Sequence, residues 1–374
     1  MPVEPAVRRR PLSELPTPAL LVDRARLQTN IATTARDLLG AGLTLRPHWK
    51  TSKSLEVAQR QLDAGAVGLT CATPAEVTAL GAAGVRGLLW AHLPVGPAKV
   101  AFAVEAAARY GLTVALDSVE AGAPLSAAAA AAGRTVPFLL EVDSGLHRSG
   151  VDPDRALDTA SRLAAFKGLR LDGVMTHEGQ LYAHGPDRAA LEGAGRAVGK
   201  VMVEVADDLR RAGLSCDTVS VGSTPGLTST PYAAGVTEAR PGTYVYYDAN
   251  QLRLGSTTLD HCALTVLTRV VSRQRDGIAI TDAGTKAMSS DSASAGNGVG
   301  LVCDLAMVPM DGIHFTTANE EHGFMHGAGV SSLVVGDVLR IVPNHACATV
   351  NMWSSVGVVE GDTAVDRWPV LARH

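Results

Sequence analysis

The sequence predicts an α/β fold: a (β/α)8 TIM-type barrel followed by a mostly β C-terminal domain. Three observations predict it. Short β-like runs alternate with longer helical patterns through eight units between about residues 40 and 250. Such alternation implies parallel strands joined by crossovers, and eight units suffice to close a barrel. Beyond about residue 250 the helical periodicity gives way to β-rich runs separated by Gly, Asp and Asn. The chain has 374 residues; one barrel takes roughly 250, which leaves about 120 for a further domain.

The expected barrel strands, in order, are 43–47, 68–71, 87–91, 113–117, 136–143, 171–177, 218–222 and 236–240. Ala-rich amphipathic stretches at 54–64, 98–108 and 188–212 supply helices between them. One helix start is legible in Thr73-Pro74-Ala75-Glu76: a capping hydroxyl, a proline at the first helical position and a glutamate that can bond back. The alanine run 127–132 reads as an ordinary barrel helix that Gly133 ends. The later β-rich runs are 262–271, 277–282, 338–342 and 348–352. A strand-like segment at 17–23 suits either domain and is assigned to the second. The expected organisation is an N-terminal arm at 1–24 joining the β domain, a barrel at 25–250 and a β domain at 251–374.

Composition narrows the function. Hydrophobic residues make up 46% and charged residues 19%, which supports a large core and argues against a disordered chain. A net charge of −4 implies no broad basic face, so no nucleic-acid partner is expected. No apolar stretch approaches the length of about 20 residues that a membrane span needs. Residues 1–11 are polar and lack the apolar region of a secretory signal. The five cysteines (Cys71, Cys216, Cys262, Cys303 and Cys347) are scattered and never form a Cys-x-x-Cys pair. They suit free thiols in a reducing cytoplasm.

Catalytic groups of such barrels sit at the C-terminal ends of strands. Lys50 follows the first strand; there a buried lysine can form a Schiff base, and the plain alternative is a solvated loop lysine. The segment 221–226 (Val-Gly-Ser-Thr-Pro-Gly) follows the seventh strand, where Gly-rich loops cradle phosphates or simply turn. Segment 141–148 ends the fifth strand, and its Arg148 could hold a carboxylate or phenolate in bidentate fashion or belong to a salt-bridged loop. After the sixth strand, His177 could stack on or hydrogen-bond a flat cofactor, and Tyr182 could donate a proton. In the second domain His345 and Cys347 are two apart, so on a strand both would face one side. Imidazole plus thiolate is a zinc-type pair that leaves positions open, although a chance His-x-Cys on a half-buried strand reads the same. Asp282-Ala283-Gly284-Thr285-Lys286 and Glu320-Glu321-His322-Gly323 are compact polar clusters that suit surface turns. Asp282, after an apolar run, could instead end a strand facing the site.

Together these motifs resemble the fold-type III pyridoxal-phosphate enzymes, and more narrowly the D-threonine aldolase / D-serine dehydratase family. The resemblance rests on Arg46-Pro47-His48-Trp49-Lys50, segments 141–150 and 221–225, Ala239-Arg240-Pro241-Gly242-Thr243-Tyr244, Asp282-Ala283-Gly284, and segments 320–323 and 343–347. It runs in order through roughly residues 16 to 370. It implies an alanine racemase-like barrel in which Lys50 carries pyridoxal 5'-phosphate as a Schiff base. Arg148 would lie near the cofactor phenolate and substrate carboxylate. Ser223, Thr224, Gly242 and Thr243 would hold the phosphate, His177 and Tyr182 would flank the ring, and Arg240 would contact the pyridine nitrogen. His345 and Cys347 would bind a divalent metal: zinc, or alternatively manganese or magnesium. The partners implied are a small D-β-hydroxy amino acid and a second copy of the chain in a homodimer. Two departures stand out: Ser52 and Gln180 occupy positions where family members commonly have histidine.

The implied activity is that of a metal-assisted lyase, D-threonine aldolase-like, cleaving its substrate to glycine and an aldehyde. The alternative is dehydratase-like β-elimination from D-serine or 3-hydroxy-D-aspartate, giving a keto acid and ammonia. An amino-acid racemase would need a second base opposite Lys50 and gives the metal pair no role. A pyridoxal-phosphate carrier would resemble the barrel alone.

Overall fold

The computed structural model describes residues 9–289, 291 and 298–373. The chain divides into two compact units: one of Ala32–Lys50 and Val57–Gly242, the other of Met1–Ile31, Thr51–Glu56 and Thr243–Arg373.

The first unit is a ring of eight parallel strands. In chain order they are Thr44–Leu45, Thr70–Cys71, Leu89–Trp90, Thr113–Leu116, Val136–Glu141, Leu169–Met175, Thr218–Val221 and Glu238–Ala239. Each pairs with its sequence neighbour from the second strand onward. The last strand returns to the first, and a bridge between His48 and Thr70 joins the first to the second. Every expected run contains a strand. The ladders are mostly shorter than the runs because flanking residues turn into loops, and the sixth begins two residues early, at Leu169.

Local chemistry explains the helices of this unit. Thr73 caps Pro74–Ala82 by accepting from Glu76 N at 3.3 Å. The Glu76 carboxylate bonds back to Ala72 N at 2.6 Å, one residue before the cap. The alanine run lies in the helix Val119–Ala131, and Gly133 follows with φ +61. Helix Arg188–Arg211 starts at Asp187, which accepts from Ala190 N at 3.0 Å. It buries Leu191, Val198, Met202, Val205 and Leu209, the stripe a helical period places on one face.

The second unit is built on a ten-stranded sheet. Six of its strands form a closed circuit: Leu264–Arg275, Ile278–Thr281, Gly323–His326, His314–Ala318, Gly300–Cys303 and Val338–Pro343, which pairs back with the first. The early strand Ala19–Asp23 pairs antiparallel with Leu264–Arg275 and parallel with Ser355–Glu360. One expected strand is overturned: 348–352 falls in the helix Ala346–Asn351. The buried Asp248 carboxylate accepts from Ala346 N at 2.9 Å, and His345 O accepts from Thr349 N at 3.1 Å. A capped first turn outweighs the β propensity of so short a run.

Candidate active site

Lys50 lies in a short turn, Trp49–Thr51, after the first barrel strand. Trp49 is fully buried and anchors that turn, while His48 N donates to Pro241 O at 2.9 Å. Lys50 lines a cavity of about 440 Å³ together with His48, Glu141, Arg148, His177 and Arg240. A volume of this order is usual for small-molecule and cofactor sites. Four residues expected to share a site (Lys50, Arg148, His177 and Arg240) are thus brought together at the ends of different strands. Tyr182 is 40% exposed in the turn Gly179–His184 and does not line this cavity.

Arg240 is almost fully buried. Its Nε donates to Ser220 Oγ at 2.7 Å and its Nη2 to Thr176 O. Ser220 donates in turn to Glu238 at 2.6 Å, and Glu238 also accepts from Arg46 Nε at 2.8 Å. The register makes this chain possible, because Glu238 lies directly beside Ser220 in the sheet. Burial pulls the Arg240 pKa down, and the carboxylates of Glu238, Glu178 and Glu141 oppose that pull.

His177 Nδ1 lies 2.6 Å from Gly222 O. A carbonyl only accepts, so the proton is on Nδ1 and Nε2 keeps its lone pair. Burial, with the positive charges of Lys50, Arg148 and Arg240, pushes the imidazole pKa down to about 3. His177 is therefore neutral at physiological pH. Glu141 is buried, accepts from Ser149 Oγ at 2.9 Å and lies 4.0 Å from Arg148. Burial raises its pKa, against Ser149 and Arg148.

The loop after the seventh strand holds Ser223 and Thr224, both buried. Ser223 Oγ accepts from Gly226 N at 3.1 Å. Gly222 has no room for a side chain: a Cβ there would come within 2.8 Å of Arg240 Cβ. An amine in a cavity, a neutral imidazole, two guanidinium groups and a glycine loop with buried hydroxyls form a donor set that fits pyridoxal phosphate. Gly242 is half-buried after the eighth strand, and Thr243, in the second unit, is buried.

In the second unit His345 is the N-cap residue of Ala346–Asn351 and Cys347 lies in its first turn. The expectation that both face one side of a strand is thus overturned, yet the helix start still sets them side by side. Cys347 draws the His345 pKa up to about 10, with Asp248 and Asp291 adding to the rise. Such a pair holds a proton that a divalent ion would displace. His345 Nδ1 bonds Asp291 Oδ2 at 2.7 Å, the arrangement in which a carboxylate orients a ligand imidazole. Cys347 Sγ lies 3.1 Å from Thr51 Oγ1 and 3.7 Å from Thr243 Oγ1. Among the described residues no group of three or more His, Cys, Asp or Glu is arranged to hold a metal. The pair fits an open site completed by other donors.

Several singled-out residues have structural partners. Asp282 accepts from Thr17 Oγ1, Thr268 Oγ1 and Arg269 N, so it ties strands together. Lys286 forms an exposed pair with Glu320 and Glu321. Ser52 is 2% exposed, and Gln180 Nε2 donates to Ser144 O at 2.8 Å. Sequence reasoning missed Ser220, Glu238 and Glu178, the last a buried acid beside the glycine loop. The available signal for Glu178 was an acid directly following His177 at a strand end.

The model of the alanine racemase N-terminal domain matches residues 22–250, and that of a serine dehydratase domain matches residues 263–359. A D-threo-3-hydroxyaspartate dehydratase from Delftia sp. is 38% identical over 96% of this chain and 98% of its own. A D-threonine aldolase from Arthrobacter sp. is 30% identical over 99% of this chain and 96% of its own. A solved structure of D-threo-3-hydroxyaspartate dehydratase, a cysteine-to-alanine mutant in the metal-free form, superposes with a TM-score of 0.91. It is 36% identical and covers 97% of this chain and 99% of that one. Among the described residues no helix is long and apolar enough to cross a membrane. The chain belongs to the alanine racemase N-terminal domain family, in the group of lyases that couples this barrel to a serine dehydratase domain and spans D-threonine aldolases and hydroxyaspartate dehydratases.

Proposed function

We propose that this chain is a pyridoxal-phosphate- and divalent-metal-dependent lyase of D-β-hydroxy-α-amino acids. The observation that carries the reading is the single cavity in which Lys50, Arg148, His177 and Arg240 meet at the ends of barrel strands. The barrel, taken as 25–250, would hold the cofactor: Lys50 through its amine, Ser223, Thr224, Gly242 and Thr243 at the phosphate, and Arg240 and His177 at the ring. The β domain, taken as 251–374 with the arm 1–24, would hold the metal at His345 and Cys347. A thiolate and an imidazole favour zinc over manganese or magnesium. Bound, the cofactor would supply an electron sink at the substrate α-carbon and the metal a Lewis acid at the β-hydroxyl.

The chain's own residues would do the rest. Lys50 would deliver a proton to the α-carbon after Cα–Cβ cleavage, or remove the α-proton in the elimination. Arg148 offers a fork of donors to a carboxylate. Neutral His177 packs without adding charge, its proton committed to Gly222 O. Tyr182, outside the cavity lining, would be a proton donor only if it turned inward. A homodimer in a reducing cytoplasm, acting on a small molecule, fits five cysteines that form no disulfide among the described residues.

Retro-aldol cleavage breaks the Cα–Cβ bond and yields glycine plus an aldehyde. The second reading, β-elimination, removes the α-proton and the β-hydroxyl and yields a keto acid plus ammonia. It is favoured by 38% identity to a dehydratase against 30% to an aldolase. Incubation of the metal-loaded protein with D-threonine and with D-threo-3-hydroxyaspartate separates the two, glycine marking one and ammonia the other. No turnover of either would sink both. An absorbance band of bound cofactor, trapped on Lys50 by borohydride, tests the cofactor assignment. A Lys50→Ala protein that keeps band and activity would overturn it.

A further inference from the structure

We infer that Glu178 is a positioning residue that fixes the loop from Gly222 to Gly226, and with it the ring of His177, for a phosphate-bearing cofactor. The inference rests on the cofactor reading above. Glu178 is 1% exposed, so its carboxyl is committed to the interior. Its Oε2 accepts from Gly222 N at 2.9 Å. The preceding residue, His177, donates from Nδ1 to Gly222 O at 2.6 Å. Two consecutive side chains therefore hold both backbone polar groups of one glycine. Neither bond survives a shift of that glycine, and Arg240 Cβ blocks any larger residue there.

The far end of the loop closes on the same carboxyl. A Cβ at Gly226 would come within 2.9 Å of Glu178 Oε1 and 2.6 Å of Thr230 Oγ1. Only a glycine lets the backbone come this close. Ser223, the loop's first hydroxyl, lies close enough to the Glu178 carboxyl to act on its proton affinity. Glu178 thus touches the start, the hydroxyl and the end of a five-residue loop assigned to phosphate. An acid here would seem to oppose an anionic ligand. Burial raises the Glu178 pKa, with Gly222 N and the Arg240 charge opposing the rise, and the carboxyl's contact with the loop is through a hydrogen bond to backbone. What the loop takes from Glu178 is an acceptor of the right length at Gly222 N. Glutamine supplies that acceptor; aspartate is one methylene too short, and alanine has none.

The test is titration of apoprotein, prepared from the holoenzyme, with pyridoxal phosphate. The readouts are the absorbance of the bound cofactor and the melting temperature of the apoprotein. Glu178→Asp and Glu178→Ala should weaken cofactor binding about tenfold or more, as loss of a buried hydrogen bond does. Both should also shift the absorbance maximum as the His177 ring moves. Glu178→Gln should restore binding to within about threefold of wild type. If Glu178→Ala does not fold, the Asp and Gln pair carries the comparison. Wild-type affinity in Glu178→Asp, or a Gln variant as weak as Asp, overturns the inference. Wild-type protein that binds no pyridoxal phosphate overturns the cofactor reading itself and is thereby distinguishable.

Discussion

Arg240 Nε and Ser220 Oγ are 2.7 Å apart in the interior of the barrel, and Ser220 passes the contact to Glu238. The serine accepts from a cation and donates to a carboxylate, so it links two buried charges that do not themselves share a hydrogen bond. Ser220→Ala leaves Arg240 Nε without its acceptor and should cost about 1–3 kcal/mol of stability. Urea unfolding of both proteins measures this. Glu238→Ala strips the carboxylate from half-buried Arg46 as well, and should cost about 3–5 kcal/mol. An unchanged midpoint in both variants would contradict this account.

The depressed His177 pKa predicts a stability change with pH in the cofactor-free protein. The imidazole titrates near 6.5 when unfolded and at about 3 when folded. Between these values the unfolded chain binds the extra proton. The stability that His177 contributes is therefore complete above about pH 6.5 and is lost as pH falls towards 3. His177→Asn has no titrating group there. Its melting temperature should fall less than that of wild type between pH 6.5 and pH 4, the window in which the two protonation states differ.

Gly222→Ala tests the close approach of loop and strand. The added methyl would meet Arg240 Cβ at 2.8 Å and Arg240 O at 3.0 Å. The backbone must move, and both bonds to residue 222 lengthen. The variant should lose about 1–3 kcal/mol by overpacking and bind pyridoxal phosphate more weakly. Calorimetry and cofactor titration check the two parts separately.

Asp291 tests the metal pair without replacing a predicted ligand. It holds His345 Nδ1 at 2.7 Å, which leaves Nε2 for a metal. Asp291→Ala should weaken zinc affinity about 10–100-fold, the usual effect of removing a carboxylate behind a ligand histidine. Cys347→Ala, which removes a donor outright, should weaken it further. Competition with a zinc chelator measures both, and equal affinity in all three proteins would dismiss the pair as a metal site.

Much of this arrangement is legible from residues alone. The eight barrel strands follow from apolar runs spaced by amphipathic helices, a pattern local to each segment. Lys50 and His177 are legible because strand ends are where such a barrel places its chemistry. The geometry of His345 and Cys347 is not. A two-residue spacing reads as one face of a strand, but the segment is a short helix capped by Asp248, 98 residues earlier in the chain. Tyr182 likewise looks equivalent to His177 in sequence but lies 40% exposed and outside the cavity lining, because a short turn carries it away.

By itself the sequence determined the fold class, the order of the barrel strands, the change to β structure after residue 250 and the residue types able to bind a cofactor and a metal. These rest on periodicity, capping and side-chain chemistry, which act over a few neighbouring residues. Only the tertiary structure decided that Ser220 lies beside Glu238, that Arg240 is buried near the carboxyls of Glu238, Glu178 and Glu141, and that Glu178 and His177 grip the same glycine. The Ser220–Glu238, Glu178–Gly222 and His177–Gly222 bonds alone join residues 18 to 45 positions apart. They exist because closing the ring fixes strand register, and register sets which polar side chains are buried together.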